Sequence, residues 1–599
     1  PGQRWKAVPM NRSSNRFLLV CIAISLLFTA IGAQMVRIQN LPGAQRILDI
    51  AENYMGINQM VYPERGMILD AKGRLLAGNE TVYEVGLDLP SIRQAETVAT
   101  VVSTVLGLDY NDVMKTIRNE DGKLKYAVLN NFVDKDKVAQ FEALIEEYKT
   151  RDLQDGETRP DLTGLIITPY NKRSYPENAL ASNVLGFYSF KDRTNGLGYF
   201  GVEETYNDLL AGTPKQVYMS YDPQKIQNLE EIPPGATVVL TIDREIQSMA
   251  ERILDQAVET QEAKSGTIII SNPEDGSIMA MATNPRLDPN QYWTYGDIFP
   301  GATPFNRAVS QTYETGSVFK VLTLAAALDA GAIEYDSVFN DTGEITVGGI
   351  TVNNWNDGAW GPQTMTGCMQ HSLNVCLTWM ALQLRADRFY DYMRAFGLDR
   401  NTGIDLGSEA HWPMKVPGSA NWTESDLATN SFGQGISNTP IQMITAISAL
   451  ANEGKMMAPH VVKAMIIDGK QYEVNPVVIG NPISAKTAEE VTRMLSVSLE
   501  EESSTALVDG YSVAGKTGTA EIPTPGGYLW GVYNLSFVGW GPVEDPKYMV
   551  YLWLEAPEIG MWASEVMAPI FSQVVDELVV MLNLPPDIPV REDEWAGGW

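Results

Sequence analysis

Residues 17–33 read FLLVCIAISLLFTAIGA, a run without a charge that continues through Gln34, Met35 and Val36 to Arg37. This is near the lower limit for a helix that crosses a bilayer. The run is apolar on every face, unlike the single stripe of a helix resting on a globular core. Arg4, Lys6, Arg12 and Arg16 precede it with no acidic residue among them. The positive-inside rule therefore keeps residues 1–16 in the cytoplasm and sends the chain beyond Ala33 outside. Ile31-Gly-Ala33 would serve as a processing site, but the run exceeds the apolar core of a usual signal peptide. The expectation is a single-pass anchor over 17–38 in the cell membrane, with the bulk of the chain extracytoplasmic.

Beyond the anchor the period changes. Residues 39–236 alternate strand-like pieces with helical ones: Thr81-Val-Tyr-Glu-Val-Gly-Leu87 alternates, and 138–148 is amphipathic at helical spacing. Asn228-Leu-Glu-Glu-Ile-Pro-Pro-Gly235 breaks any regular element and marks a domain boundary. After it, Thr241 or Asp243 can cap a helix running to Glu262. Gly266-Thr-Ile-Ile-Ile-Ser271 and Ser277-Ile-Met-Ala-Met-Ala-Thr283 flank Pro273-Glu-Asp-Gly276, which predicts a buried antiparallel hairpin. Asn534-Leu-Ser-Phe-Val-Gly-Trp-Gly541 and Tyr548-Met-Val-Tyr-Leu-Trp-Leu554 predict a second pair around Asp545-Pro546. The fold class is α+β: a first domain over 39–236, a second over 237–585, and an acidic tail over 586–599 whose last residues, 591–599, are expected to be disordered.

A chain of 599 residues exceeds what one core organises, which agrees with two domains. Its 44 Lys+Arg against 74 Asp+Glu give a formal charge of -30, which repels phosphate backbones and excludes nucleic acid as a partner. Three cysteines make no disulfide framework. Cys21 lies in the anchor, and a helix between Cys368 and Cys376 would separate them by about 12 Å of rise, beyond disulfide reach. Two buried thiols are expected there. With three histidines and no H-E-x-x-H or C-x-x-C spacing, neither a metal nor a cofactor is expected.

Ser317-Val-Phe-Lys320 opens the apolar segment VFKVLTLAAALDAG, which predicts a helix ending near Gly331. Positions three apart share a helix face, so the Lys320 amine can reach the Ser317 hydroxyl. Serine is a feeble nucleophile until a neighbour takes its proton. A lysine does so only if desolvation or another cation lowers its pKa from about 10.4. Alone, S-x-x-K is a common accident that caps a helix and leaves the lysine in solvent. Here Ser372-Leu-Asn374 and then Lys516-Thr-Gly518 follow in an order with a chemical use. Ser372 can relay a proton to a leaving amine, and Asn374 can bond a substrate backbone. Lys516 supplies positive potential that keeps Lys320 neutral and holds a substrate carboxylate, to which Thr517 and Thr519 offer hydroxyls. Gly518 lets the strand come close, and the N–H groups of Ser317 and Thr519 make a natural oxyanion hole.

With these motifs the sequence resembles the class B penicillin-binding proteins. The likeness extends to Arg65-Gly-Met-Ile-Leu-Asp-Ala-Lys-Gly-Arg-Leu-Leu-Ala77, Arg173-x-Tyr-Pro176, Gly201-Val-Glu-Glu204, Asn306-Arg-Ala308, Ser431-Phe-Gly-Gln-Gly435 and Ser536-Phe-Val-Gly539. Thr315 and Val318 depart from the usual E-P-G-S-T-F-K, and Leu373 from S-S-N or S-D-N; none removes a reacting group. The resemblance implies a non-catalytic pedestal followed by a serine β-lactamase-like transpeptidase domain. It implies acylation of Ser317 by D-alanyl-D-alanine stem peptides of peptidoglycan, with release of D-alanine, and by β-lactams. No Glu-x-x-Leu-Asn follows Ser372, so hydrolysis of the acyl ester is expected to be slow. Gly510-Tyr-Ser-Val-Ala-Gly-Lys-Thr-Gly-Thr519 and the Ser536 block are more like the division-type, FtsI-like branch than the elongation-type branch of the lateral wall. With no glycosyltransferase domain ahead of the pedestal, the implied partners are a SEDS-type (FtsW-like) glycosyltransferase and other divisome membrane proteins. A β-lactam sensor would need several membrane helices and a cytoplasmic effector, and a dead scaffold would not keep all three motifs.

Overall fold

The computed structural model describes residues 12–41, 43, 56–119, 122–154, 157–190, 196–220, 232–502 and 504–589. Residues 228–231 of the expected boundary and the tail at 591–599 lie outside these. Contacts divide the chain into two units, the first made of 1–63 and 213–233. It holds the helix Arg12–Gln39, whose apolar side chains, among them Phe17, Leu19, Leu26 and Phe28, are exposed. This helix is long and apolar enough to cross a membrane. The same unit holds an antiparallel pair, Gly56–Val61 with Lys215–Ser220.

In the second unit, the long strand Leu75–Asp88 pairs with Tyr126–Val133 and Leu165–Ser174. Helices Ala95–Leu106 and Lys135–Thr150 cover it, packing Val98, Val102, Val138 and Phe141 on Val85 and Leu87. Asp134 and Asp109 cap helices here through side-chain bonds to backbone amides, as short acceptors at an N-cap do. This sheet continues into the C-terminal half: Ile68–Leu69 pairs in parallel with Thr237–Leu240, which pairs antiparallel with Val462–Ile467.

The blocks around Arg65, Arg173 and Glu203 meet in one buried network. Arg65 Nε donates to Glu203 Oε2 at 2.7 Å, while Arg173 Nε, at 2.7 Å, and the Tyr175 hydroxyl, at 3.0 Å, donate to Oε1. Burial opposes ionisation of Glu203, but Arg173 and Arg65 outweigh it and hold the carboxyl below its ordinary range.

A second sheet has five antiparallel strands in the order Ile278–Asn284, Ser265–Ser271, Tyr548–Glu555, Gly527–Gly541 and Ala514–Thr524. Both predicted hairpins are present, joined by pairing of Ser265–Ser271 with Tyr548–Glu555. The continuous apolar runs follow from burial on both faces. Tyr548, Val550 and Leu552 pack on helices Arg244–Thr260 and Ala563–Met581. Met549, Tyr551 and Trp553 face the opposite layer, which contains Lys320–Asp329 and Pro440–Ala451. The strand period of two thus assigns neighbouring side chains to two different cores. Asp243, not Thr241, caps the Arg244 helix, by accepting from Glu245 N.

Removing the Glu203 carboxylate leaves two buried guanidiniums without a counter-charge, a change that costs about 3–5 kcal/mol. Glu203→Ala is expected to lower the urea unfolding midpoint accordingly, measured by circular dichroism beside the wild type. A loss under about 1 kcal/mol would mean that water, or Asn207, whose Oδ1 already accepts from Arg65 Nη1 at 3.2 Å, replaces the carboxylate without penalty.

Candidate active site

The apolar segment after Ser317 starts more tightly than a simple helix. Gly316–Phe319 is a 3-10 turn that runs into the α-helix Lys320–Asp329, ending before Gly331. Gly316 has φ 57, and a Cβ there would meet Thr519 O at 2.6 Å, so only glycine fits. Its N–H donates to Gly433 O at 3.1 Å, and Thr323 Oγ1 donates to Ser431 O at 2.7 Å. The Ser431-Phe-Gly-Gln-Gly435 loop is therefore the backing of the Ser317 turn. Thr315 and Val318, the two departures from the family pattern, are fully buried and carry no group that faces solvent.

Lys320 is fully buried. Its Nζ lies 2.6 Å from Ser372 O, 2.8 Å from Asn374 Oδ1 and 3.1 Å from Ser372 Oγ; an ammonium would donate to all three, a neutral amine to two of them. These acceptors are all uncharged. Burial, with the nearby charge of Lys516 second, holds the Lys320 amine well below the usual lysine range. Burial also lowers Lys516 to about 8, with Glu502 opposing the fall. Lys516 Nζ lies 3.3 Å from Thr517 Oγ1.

Lys516, Thr517, Gly518 and Thr519 sit on Ala514–Thr524, the edge strand of the five-stranded sheet, in register with Val538, Phe537, Ser536 and Leu535 of its neighbour. A Cβ on Gly518 would meet Ser536 Oγ at 2.4 Å, Val318 Cγ2 at 2.7 Å and Thr315 O at 2.8 Å. The strand can thus lie against the Ser317 turn only with glycine at this position. Thr519 Oγ1 accepts from Ala563 N at 3.3 Å, which leaves its own O–H to donate. Of the sequence-predicted residues, Ser317 and Lys516–Thr519 come from two elements that meet at this edge, and Lys320, on the helix that follows Ser317, brings in Ser372 and Asn374.

The cysteine expectation is overturned. Cys368 and Cys376 form a disulfide, with Cα atoms 6.1 Å apart. The chain between them is not one helix. Met365–Gln370 ends, Ser372 adopts φ 50, Leu373 is extended, and a new helix Asn374–Leu384 begins. The reversal folds the cysteines back on one another instead of spacing them along one axis. Leu373 points into the core and is fully buried.

Other residues at the site gave no sequence signal. Asn354 Oδ1 accepts from Val375 N at 3.2 Å, and Asn374 Nδ2 donates to Asn353 O at 3.0 Å, so a loop about twenty residues upstream supports the second motif. From that loop Trp355 donates through Nε1 to His371 O at 3.1 Å and meets Trp562 edge to face, ring centres 5.4 Å apart. Trp562 immediately precedes Ala563, so this ring contact links the Ser372 side of the site to the Thr519 side. Tyr528 donates to Glu314 at 3.0 Å, tying the hairpin after Thr524 to the segment that enters the Ser317 turn. These contacts join residues far apart in sequence, and no local pattern encodes them.

Residues 266–576 match the family model described as the penicillin binding protein transpeptidase domain, and residues 60–240 match the penicillin-binding protein dimerisation domain. Stage V sporulation protein D of Bacillus subtilis is 29% identical over 587 residues, which are 95% of this chain and 86% of the relative. The penicillin-binding protein PbpB of Mycobacterium tuberculosis is 32% identical over 436 residues, 69% of this chain and 62% of the relative. The crystal structure of penicillin binding protein 3 from the same organism, complexed with aztreonam, covers 89% of this chain and 99% of its own, at 26% identity and a TM-score of 0.66. With one family model spanning the motif-bearing half and a second spanning the region before it, this chain belongs to the class B penicillin-binding proteins.

Proposed function

We propose that the protein is a serine D,D-transpeptidase that cross-links peptidoglycan stem peptides through an acyl-enzyme at Ser317. The observation that carries this reading is the buried Lys320 amine, held between Ser372 and Asn374 one turn from Ser317 with no carboxylate among its partners, so that burial and Lys516 pull it well below the usual lysine range. Neutral Lys320 takes the Ser317 proton as Oγ attacks the carbonyl carbon of the D-Ala–D-Ala bond. The oxyanion is met by the N–H groups of Ser317 and Thr519. The C–N bond breaks, Ser372 passes a proton to the departing D-alanine amine, and an ester joins Ser317 to the stem peptide. An amine of a second stem then attacks that ester, forming the cross-link and returning the serine proton. Asn374 orients the substrate backbone. Lys516, Thr517 and Thr519 hold the terminal carboxylate, and Gly518 keeps the strand close. A β-lactam enters the same path: its ring amide opens, and the fragment stays as an ester.

The apolar helix Arg12–Gln39 would anchor the protein in the cell membrane, its basic flank in the cytoplasm. The Cys368–Cys376 disulfide supports an extracytoplasmic catalytic part, because such bonds persist in oxidising compartments. We place the protein in septal wall synthesis on the likeness of residues 510–519 and the Ser536 block to the division-type branch. A SEDS-type glycosyltransferase in the same membrane would supply the glycan strands. Depletion tests the placement: filaments support it, and rounded cells would move the enzyme to the lateral wall.

Two outcomes test the chemistry. Fluorescent penicillin is expected to label detergent-solubilised wild type and not Ser317→Ala, and Lys320→Ala is expected to slow labelling by about 10²–10⁴. Labelled Ser317→Ala protein would remove Ser317 from its role. In the pH profile, Lys516 is protonated below its pKa of about 8 and loses its charge above it. Acylation by a carboxylate-bearing penicillin should therefore decline on the alkaline side, and Lys516→Arg, which does not titrate there, should abolish that limb. An unchanged limb in Lys516→Arg would assign the decline to another group.

A further inference from the structure

We propose that the Cys368–Cys376 disulfide is a positioning device for acylation, fixing the reversal that carries Ser372 and Asn374 so that both meet the Lys320 amine. This rests on the reading of Ser317 as the acylated residue. The bond closes the stretch of chain containing both motif residues: Cys368 stands four positions before Ser372, and Cys376 two after Asn374. Local sequence supports this reversal poorly. Ser372 is a non-glycine residue in the left-handed region at φ 50, a conformation that persists only where surroundings impose it. Leu373 stands at the N-cap of the following helix and makes no side-chain cap, since it has no acceptor to offer. One of the amides left over is satisfied by Asn354, from a different loop. The preceding helix, Met365–Gln370, has six residues, too few to hold itself.

The geometry to be held is narrow. Lys320 Nζ reaches Ser372 O, Ser372 Oγ and Asn374 Oδ1 at 2.6, 3.1 and 2.8 Å, all within the two turns that the disulfide ties together. Cys368 and Cys376 are both fully buried in the main core, beside Leu373, Met369 and Leu377. Two unbonded thiols need van der Waals separation that a covalent pair does not, and a close-packed core has no room for it without moving the helices apart. Such a movement shifts Ser372 and Asn374 relative to Lys320, and a displacement of about 1 Å at a reacting constellation costs on the order of 10²-fold in rate. Cys368 and Cys376 touch no substrate; they act through Ser372 and Asn374.

The test is the full-length Cys368→Ala/Cys376→Ala protein in detergent, titrated with fluorescent penicillin for both final stoichiometry and acylation rate constant. The expected result is the stoichiometry of the wild type, with a rate constant about 10–100-fold lower. Reduced stoichiometry at the wild-type rate constant would show a purely structural bond and overturn the proposal, as would an unchanged rate at full stoichiometry. Should the double variant fail to fold, folded wild type is reduced with a phosphine, the two thiols are verified by alkylation and mass spectrometry, and labelling is timed before and after reoxidation. Slowing that reoxidation reverses supports positioning; a fully reduced protein that labels at the oxidised rate overturns it. Wild type that does not label at all would instead remove the reading of Ser317.

Discussion

A lysine amine enclosed without a carboxylate is the constraint around which the rest of this site is arranged. Burying an ammonium is costly unless an anion accompanies it. Lys320 is offered only a carbonyl, a hydroxyl and an amide oxygen, and a second lysine lies near. Burial therefore shifts the balance toward the uncharged amine, which can donate to two of these acceptors and keep a lone pair. A carboxylate in place of Asn374 would favour the charged amine. The same logic suits Leu373. Its side chain enters the core, where an aspartate would bring an unpaired charge and a leucine brings apolar contact.

The five-stranded sheet sets that local chemistry beside the candidate binding residues. Its third motif lies on an edge strand, which has main-chain groups on one side unused by sheet pairing. An exposed edge usually invites association; here the Ser317 turn lies against it. The approach is close enough that a Cβ at Gly518 or Gly316 would strike backbone or side-chain atoms of the other element. Two glycines, one on each element, thus set the spacing between the nucleophile candidate and the carboxylate-binding candidates. Ser536 adds a bridge, its hydroxyl lying 3.4 Å from Thr315 O.

Much of this is legible in the sequence, for identifiable reasons. The two hairpins are legible because their apolar runs are bounded by turn residues. The three motifs are legible because their chemistry demands residue types at short spacing. The cysteine pairing is not. A single helix through 368–376 would keep the thiols apart, and the break at Ser372 is accompanied by contacts from Lys320 and Asn354, distant in sequence, which no local propensity announces. The Trp355–Trp562 and Tyr528–Glu314 contacts are illegible for the same reason: each joins elements far apart in the chain. The 3-10 start of the Ser317 helix is hidden as well, because the glycine that forces it reads as an ordinary breaker before a helix.

Two of the buried ionisable centres among the described residues, Glu203 and Lys320, differ in a way that separates scaffold from chemistry. Glu203 is as inaccessible as Lys320, yet it is surrounded by Arg65, Arg173 and Tyr175, and Arg65 in turn lies 4.6 Å from the centre of the Tyr188 ring. The carboxylate there is matched by guanidiniums, so the network remains ionised and has no proton to exchange near neutral pH. Such a cluster can specify how the Arg65, Arg173 and Glu203 segments pack, and can do nothing to a substrate. Lys320 has the opposite arrangement: neutral acceptors, a like charge nearby, and a proton affinity pulled toward the range where catalysis operates. The family-like blocks outside the three motifs follow the same division. Arg307 pairs with Glu555, and Gly433 O accepts from Gly316 N–H, so these blocks complete hydrogen-bonding needs of the frame, while the Lys320 amine keeps no counter-charge among its hydrogen-bond partners.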